Sequence, residues 1–475
     1  MIYWKKLKIT VALFLCITFL ITTSPTTFAA TDQQTDEVRA YLEQYHYNKP
    51  SAASLSGSSI EDMIKSLNDP YTEFFEAEEW EAYSNALDQT FVGIGIVIGE
   101  TNGNVFVEQL IEGGPAQLAG LMVGDQLVSS DGKSLINTTT LQVQSLLLGK
   151  EGTSLLLKVK RDGKLLDFSI TRKKLQIPAV STTMLGDGVG YLELSGFTFN
   201  AGKEMKEKLI KLEEEGLTSL IIDLRNNGGG YVSSAMAIAS LFIEDGVLAH
   251  LRDRDNEDYP LKVTGSKKKY PVAVLINGYS ASASELLAGA LQDYGLATLV
   301  GTRSYGKGVV QTIVNLESGG VLKFTIEQYF TPSGRKVDKV GLIPNIVNTD
   351  VSGQLIDAFR AVNGNKVTIN IQDRLVNVNG ILNYDNTAAG QNKKGIWHAN
   401  LRLIATLIGA QLKVDTKSKT FTLTKGELTY TIPTNDSHLI VKNGRTLIDV
   451  RLIKKWFPSF SYLVKENTLK LTASK

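Results

Sequence analysis

Residues 31–86 are polar and carry their apolar positions at helical spacing, as in "TDEVRAYLEQY" (35–45). Ser58 or Ser59 is suited to cap a second helix, and "NDP" (68–70) would end it. The pattern therefore predicts a helical N-terminal region over 30–86. Because a region this small seldom folds alone, we expect it to pack on the rest of the chain or to form a dimer with a second copy.

From residue 91 the pattern changes to short runs of strand-forming residues separated by glycine and polar turns. The predicted strands are "FVGIGIVIGE" (91–100), "NVFVEQLIEG" (104–113), "DQLVSSDGKSL" (125–135) and "SLLLKVKRDGKLLDFSITR" (154–172). A short and a longer helix, "GPAQLAGL" (114–121) and "TTTLQVQSLLLGK" (138–150), lie between them. The pattern indicates a strand-rich domain over 87–175.

The next region, 176–352, alternates strands with helices. Largely apolar strands such as "LIID" (220–223) and "PVAVLIN" (271–277) are each followed by a turn and a helix. Apolar strands that alternate with helices are typical of a layered α/β domain. A hairpin is predicted over 309–330.

The last hundred residues contain an internal repeat. "LRLIATLIGAQLKVDTKSKTFTLT" (401–424) returns as "VRLIKKWFPSFSYLVKENTLKLT" (450–472), and each copy reads as a helix that leads into two strands. Two copies are too few for a solenoid, so we expect one compact α+β module over 366–475. Overall, the pattern predicts a multidomain α+β protein.

The first 29 residues have the order of a secretory signal. Three lysines, at positions 5, 6 and 8, precede an apolar run over 11–21 and a small-residue stretch that ends at Ala29. The apolar run is shorter than the roughly 20 residues of a membrane span. We therefore expect a cleaved signal and an extracytoplasmic protein, with an uncleaved membrane anchor as the alternative.

Composition and net charge argue against two classes of function, nucleic-acid binding and cysteine chemistry. The net charge is +1, and removal of the signal takes away three lysines and no acid, so the charge becomes −2. No basic excess exists for nucleic-acid binding. The only cysteine, Cys16, lies in the signal, so we expect a mature protein without disulfides, thiolate chemistry or cysteine-bound metal.

The sequence "GTRSYGKG" (301–308) nearly matches a phosphate-binding loop. That motif requires serine or threonine after its lysine and a helix behind it. Here Gly308 follows Lys307, and "VVQTIVNL" (309–316) is strand-like. Nucleotide binding is therefore not expected, and Lys307 needs another explanation.

A serine-rich turn, "NGYSASASE" (277–285), joins a predicted strand to a predicted helix. A serine there lies near the positive end of a helix dipole, although one of the three serines is expected only to cap the helix. The four histidines of the chain have no motif that pairs them with this turn. A lysine whose pKa is lowered by burial can replace histidine as the base, and Lys307 is the candidate.

Three motifs, "LIIDLRNNGGG", "INGYSASASELLAGALQDYG" and "LVGTRSYGKGVVQ", occur in the order found in C-terminal processing peptidases, the S41 serine peptidases. The chain resembles this family over about 55–350. The resemblance implies a ClpP/crotonase-like core in which Ser282 is the nucleophile, Lys307 the general base and Gln311 the residue that orients the lysine. It also implies an oxyanion hole from the N–H groups of Ala283 and Gly229, with Gly228 as the next choice.

The domain over 87–175 resembles a PDZ domain through "GIGI" and "GGPAQLAGLMVGDQLVSSDGKSL". The resemblance implies that the loop formed by Gly93, Ile94, Gly95 and Ile96 binds the terminal carboxylate of a peptide that pairs with the adjoining strand. The C-terminal module resembles the N-terminal repeat of copper amine oxidases. Its two histidines, His398 and His438, do not form a ligand cluster, so we expect no metal and no other cofactor.

These inferences predict an extracytoplasmic serine endopeptidase that is gated by its PDZ domain. Its substrates are expected to be proteins with apolar C-terminal tails. The alternatives are a non-catalytic PDZ scaffold and a wall-bound adhesion protein. We expect a homodimer through the N-terminal helices, attachment to a cell wall or surface through 366–475, and peptide hydrolysis that survives deletion of that module.

Overall fold

The computed structural model describes residues 31–56, 59–101, 103–372, 375–384 and 389–474. The expected signal, with Cys16, lies outside these residues. The described chain forms two compact units, one of residues 78–178 and one of residues 31–77 together with 179–474. In the described part of the chain, we find no helix with the length and apolarity needed to cross a bilayer.

The N-terminal region consists of α1 (Asp32–Tyr45), α2 (Ile60–Ser66) and the short strand β1 (Glu73–Phe75). Ser59, one of the two serines predicted to cap the second helix, accepts a hydrogen bond from the N–H of Asp62 at its N-terminus. The helical prediction for 30–86 therefore holds only in part. Helices α1 and α2 match it, but the described residues between them form turns and loop, and strand β1 was not predicted.

The unit of residues 78–178 is strand-rich, as predicted. Its helices are α3 (Ala77–Leu87), α4 (Pro115–Leu118) and α5 (Thr140–Leu147). Its strands are β2 (Thr90–Gly93), β3 (Ile96–Thr101), β4 (Asn104–Leu110), β5 (Gln126–Ser130), β6 (Lys133–Ser134), β7 (Ser154–Arg161), β8 (Lys164–Thr171) and β9 (Lys173–Gln176). The main sheet has the order β3-β4-β5-β7-β8, and β2 pairs with β9. Because β3 pairs only with β4 in the described residues, it is an edge strand.

The α/β core is built on a six-stranded sheet of order β10-β11-β12-β15-β16-β19. Its strands are β10 (Val180–Met184), β11 (Val189–Leu194), β12 (Ser219–Asp223), β15 (Val272–Ile276), β16 (Thr298–Gly301) and β19 (Ile346–Val347). All neighbours from β11 onward are parallel. The intervening strands β13 (Asp245–Asp253) and β14 (Asp258–Thr264) belong to a second sheet.

Helices cover both faces of the six-stranded sheet. The side chains of Leu220 and Ile222 join the apolar cluster of α6 (Ala201–Glu214), α7 (Val232–Ala239) and α8 (Ala283–Asp293). Ile221, between them, joins the cluster of α9 (Val351–Ala361) on the other face. Side chains alternate across a strand, so consecutive apolar residues of β12 contribute to the apolar clusters on both faces of the sheet. This arrangement confirms the predicted layered α/β fold.

The second sheet has the order β1-β18-β13-β14, and β17 (Val309–Asn315) pairs with β18 (Val321–Phe330) to form the predicted hairpin. Strand β1 enters this sheet with Glu73 opposite Lys323. The N-terminal region therefore packs on the core of its own chain, which is one of the two arrangements expected from the sequence.

The C-terminal region contains the repeat as predicted. One helix, α10 (Leu401–Ile408), leads into β25 (Gln411–Asp415) and β26 (Thr420–Lys425), and the other, α11 (Val450–Trp456), leads into β30 (Ser461–Lys465) and β31 (Thr468–Ser474). The remaining strands are β20 (Lys366–Gln372), β21 (Leu375–Val378), β22 (Ile381–Tyr384), β23 (Gly390–Lys393), β24 (Ile396–Asn400), β27 (Leu428–Pro433), β28 (Leu439–Lys442) and β29 (Arg445–Asp449).

The C-terminal region is not a separate body. Phe359 on α9 and Ile404 on α10 belong to the same buried apolar cluster as Ile221 of the central sheet. The Arg360 guanidinium donates hydrogen bonds to the carbonyls of Thr406 and Leu407. The expectation that hydrolysis survives loss of 366–475 treated the region as an independent module, and this shared core argues against it.

Candidate active site

The serine-rich turn lies between β15 and α8, and the structure gives its three serines different roles. Ser280 and Ser284 are fully buried, and their hydroxyls donate to the carbonyls of Leu224 at 2.7 Å and Asn227 at 2.9 Å. Both therefore hold the turn against the strand–loop segment after β12. Ser282 is half-buried, and neither of those structural bonds involves it.

The backbone of Ser282 is strained. Its φ of 56° and ψ of −116° lie in a region that residues with a side chain rarely adopt. The N–H of Ser282 donates to Glu285 Oε2 at 3.0 Å, and its carbonyl accepts from the hydroxyl of Tyr329 at 3.2 Å. The two bonds keep the strained residue in place at the start of α8.

The glycine loop after β12 lies directly against this turn. A β-carbon added to Gly229 would be 2.8 Å from Ser282 Cβ and 3.0 Å from the nitrogen of Ala283. The N–H of Gly229 donates to Asn227 Oδ1 at 2.9 Å, so this hydrogen is already bonded. No hydrogen bond from the N–H of Gly228 or Ala283 to another described residue is found. Of the three candidates for the oxyanion hole, these two N–H groups are the ones left available.

The base of the glycine loop is fixed by an ion pair. Arg225 binds the carboxylate of Asp223 through Nε and Nη2, and the hydroxyl of Tyr191 donates to the same carboxylate at 2.7 Å. Arg225 also donates to the carbonyl of Val351 at 3.0 Å. A charge pair this well bonded positions the loop and leaves no group free to react.

The loop of Lys307 precedes β17 and is tied to the serine turn by the N–H of Tyr305, which donates to the carbonyl of Ser280 at 3.0 Å. Lys307 Nζ lies 4.6 Å from the centroid of the Tyr71 ring. Within the described residues, its ammonium has no hydrogen bond and no ion pair. Burial, followed by the charge of Lys323, lowers the pKa of Lys307 from 10.5 to about 8.

Glu285 links the serine turn to the lysine loop. Its carboxylate is 1% exposed and accepts hydrogen bonds from Ser304 Oγ and from the N–H groups of Gly306, Lys307 and Ser282, at 2.5, 2.8, 2.9 and 3.0 Å. Burial raises the pKa of Glu285, although these four bonds oppose the shift. Sequence reasoning missed this role of Glu285; the only available signal was an acid in the first turn of α8, within the otherwise apolar "SELLAGAL".

Two of the bonds to Glu285 limit the distance between the backbones of the candidate nucleophile and the candidate base. The backbone nitrogens of Ser282 and Lys307 both donate to Oε2, so they lie within about 6 Å of each other. Two residues 25 positions apart in sequence are thus brought together on one carboxylate oxygen. The backbones of the candidate nucleophile and the candidate base therefore lie next to each other.

Gln311, the predicted partner of Lys307, lies on β17. Its side-chain amide nitrogen donates to Thr325 Oγ1 at 3.2 Å on the opposite strand β18. Lys307 itself lies in the loop before β17. Lys307 and Gln311 therefore do not lie on one strand.

The residues over 93–96 form the connection between β2 and the edge strand β3. The carbonyls of Ile94 and Gly95 accept hydrogen bonds from Ala116 and Ile111, and Gly95 has a φ of 81°. These bonds hold a glycine-containing turn at the end of an unpaired strand edge. Among the described residues, no group of three or more histidine, cysteine, aspartate or glutamate side chains is arranged to hold a metal ion.

Comparison with known proteins gives two family matches. The model described as peptidase family S41 matches residues 188–348, and the model described as PDZ domain matches residues 106–161. The first contains every residue predicted for the catalytic site, and the second lies within the strand-rich unit.

Curated relatives extend the match. A probable CtpA-like serine protease of Staphylococcus aureus strain MRSA252 is 32% identical over 342 residues, which are 71% of this chain and 69% of that protein. A protein of the same name from Staphylococcus epidermidis is 33% identical over 309 residues, and the match spans 64% of this chain and 63% of that protein. The solved photosystem II D1 C-terminal processing protease has 25% identity and a TM-score of 0.45, with 70% of this chain and 98% of that chain covered.

Proposed function

This chain belongs to peptidase family S41, and we propose that it is a serine endopeptidase with a Ser282–Lys307 dyad. Family membership confirms the resemblance that its three motifs indicated, and the PDZ match confirms the second domain. The activity of this chain, its substrates and its partners are the proposal. The observation that carries it is the Glu285 carboxylate, which holds the backbone of Ser282 and of Lys307 on one oxygen.

The proposed reaction is acyl transfer, with Ser282 as the nucleophile and neutral Lys307 as the base. Neutral Lys307 Nζ takes the proton of Ser282 Oγ while the oxygen attacks the carbonyl carbon of a peptide bond. The N–H groups of Ala283 and the glycine loop stabilise the oxyanion that forms. The ammonium then gives its proton to the leaving amine, an acyl-enzyme remains on Ser282, and water releases it. In this proposal Gln311 orients the lysine.

The catalytic proposal is tested with the mature chain and an unfolded protein substrate. Wild type should cleave it, whereas Ser282→Ala and Lys307→Ala should each lose at least about 10³-fold in kcat/KM. Ser280→Ala is a matched control, because its hydroxyl only holds the turn and its loss should mainly lower stability. Equal cleavage by wild type and both dyad variants would favour a scaffold or an adhesion protein.

We also propose that the PDZ domain selects substrates by apolar C-terminal tails and gates cleavage. Support comes from the free edge of β3 and the turn over 93–96, since an extended peptide can pair with such an edge. A substrate with a free terminal carboxylate should be cleaved faster than the same substrate with an amidated C-terminus. Equal rates would contradict selection by the carboxylate.

The remaining proposals concern location and assembly. The order of charged, apolar and small residues over 1–29 supports export, and the mass of the processed N-terminus in a host that exports it would test cleavage. A homodimer through α1 and α2 is tested by light scattering, and a single-subunit mass at micromolar concentration would count against it. Attachment through 366–475 is tested by binding to isolated cell walls.

A further inference from the structure

One face of the second sheet carries a row of polar side chains contributed by three strands. Glu73 on β1 lies opposite Lys323 on β18, and Thr325, two residues further along β18, lies opposite Gln311 on β17. Residues directly opposite on antiparallel strands share a face, and so do residues two apart on one strand. All four side chains therefore lie on the same face, which we call the polar row.

The charged half of the polar row is an ion pair. Lys323 is 8% exposed, and its ammonium binds the carboxylate of Glu73 and lies 5.5 Å from the centroid of the Phe75 ring. A buried ammonium is costly without a counter-charge, so the carboxylate that β1 supplies stabilises the charged form of Lys323. The N-terminal region thus completes a charge pair within the core.

The neutral half is anchored by a second group of N-terminal residues. Asp69 accepts hydrogen bonds from Thr72 Oγ1 at 2.6 Å and pairs with His46 Nε2 at 3.1 Å. Burial opposes ionisation of this aspartate, but hydrogen bonds from His46, Thr72 and Thr325 lower its pKa to about 2. The hydroxyl of Thr325 in turn accepts from the amide of Gln311. A continuous set of bonds runs from the N-terminal region to Gln311.

The same N-terminal segment covers the candidate base. Tyr71, between Asp69 and Glu73, places its ring 4.6 Å from Lys307 Nζ. The charged groups whose electrostatic field reaches Lys307 are Lys323 from β18, Glu73 and Asp69 from the N-terminal segment, and Glu285 from α8. After burial, the charge of Lys323 lowers the pKa of Lys307, and the three carboxylates raise it.

We propose that Glu73 and Lys323 are positioning residues that together set the charge state of Lys307, which makes the N-terminal segment part of the active site. The inference rests on the proposed role of Lys307 as the base. The positive charge of Lys323 disfavours the ammonium form of Lys307, and the negative charge of Glu73 opposes that effect. The balance keeps Lys307 neutral often enough to accept the serine proton.

The two charges must then act on Lys307 in opposite directions. Lys323→Met removes the repulsion and leaves Glu73 unpaired, so Lys307 should lose its proton at a pH higher by about one unit. Glu73→Gln removes a negative charge that opposes the positive charge of Lys323, so the same midpoint should fall. The double variant restores a neutral pair of side chains and should return the midpoint close to that of wild type. Lys323→Gln replaces Lys323→Met if the latter does not fold.

The measurement uses trace acetylation of Lys307 with acetic anhydride against pH, read by mass spectrometry in the full mature chain carrying Ser282→Ala. Lys206→Met, an exposed lysine on α6, is the control and should leave the midpoint unchanged. Active forms of the same variants should shift the acid limb of kcat/KM in step. Equal midpoints in all variants, or shifts of Lys323→Met and Glu73→Gln in the same direction, would overturn the inference.

The outcomes also separate this inference from the proposed function. If Lys307→Ala keeps full activity, the dyad is wrong, while acetylation still reports whether the ion pair controls Lys307. If the dyad is required but the midpoints do not move, only the role of Glu73 and Lys323 is wrong.

Discussion

Gly229 lies against Ser282 so closely that a β-carbon on the glycine would be 2.8 Å from Ser282 Cβ and 2.8 Å from the carbonyl oxygen of Ala281. Gly229 also has a φ of 103°, which side-chain-bearing residues rarely adopt. The glycine is therefore required twice, for its backbone conformation and for the space beside the candidate nucleophile.

Gly229→Ala should reduce kcat at least about 10²-fold, because the added carbon displaces the serine turn or the glycine loop from the geometry that catalysis needs. The matched variant is Gly228→Ala, where an added carbon meets no atom within 4 Å and the N–H is kept. It should lose far less activity. Similar kcat values for the two variants, measured on one fluorogenic peptide, would show that the contact is unimportant.

Glu285→Gln should impair both activity and stability. The Glu285 carboxylate accepts hydrogen bonds at both oxygens, whereas a glutamine amide has one oxygen and one NH₂ group that cannot accept. The donors that face this NH₂ group would lose their acceptor, and each unsatisfied buried donor costs about 1–3 kcal/mol. We expect kcat to fall at least about 10-fold and the midpoint of thermal unfolding to decrease. Glu207→Gln, on the exposed face of α6, is the control. An unchanged kcat would mean that Glu285 has no part in holding the dyad.

The rate of hydrolysis should rise with pH. Lys307 acts as a base only when neutral, and with its pKa lowered to about 8, about a tenth of it is neutral at pH 7. The acid limb of kcat/KM should therefore have a midpoint near pH 8 and level off above it. Stopped assays from pH 6 to 10 would measure this limb. A midpoint near 6 would point to a histidine or a carboxylate as the base.

Local patterns were sufficient to predict much of the fold. The apolar runs at Leu220–Asp223 and Val272–Ile276 became the buried parallel strands, and the repeat became two helix–hairpin units. Strand β1 was missed because "EFF" is too short to show alternation. Its partner Lys323 lies 250 residues further along the chain, so no local pattern could reveal the pairing.

The candidate active site, too, was predictable from local sequence only in part. The sequence could not choose among Ser280, Ser282 and Ser284 without the resemblance, whereas the structure shows that two of them hold the turn. The role of Glu285 was missed because its partners Ser304 and Lys307 lie in a loop about 20 residues away. The roles of the three serines and of Glu285 depend on contacts between segments that are distant in sequence, and the motifs do not show these contacts.

The shared core predicts that deletion of residues 366–475 destabilises the peptidase domain. The deletion would expose the apolar face of α9, where Phe359 is 1% exposed, and aggregation should follow. In the intact chain, Phe359→Ala should cost about 3–5 kcal/mol and lower the unfolding midpoint clearly. Phe199→Ala, at a residue 73% exposed, should change it little. A soluble truncated chain with an unchanged unfolding midpoint would show that the C-terminal region is an independent module after all.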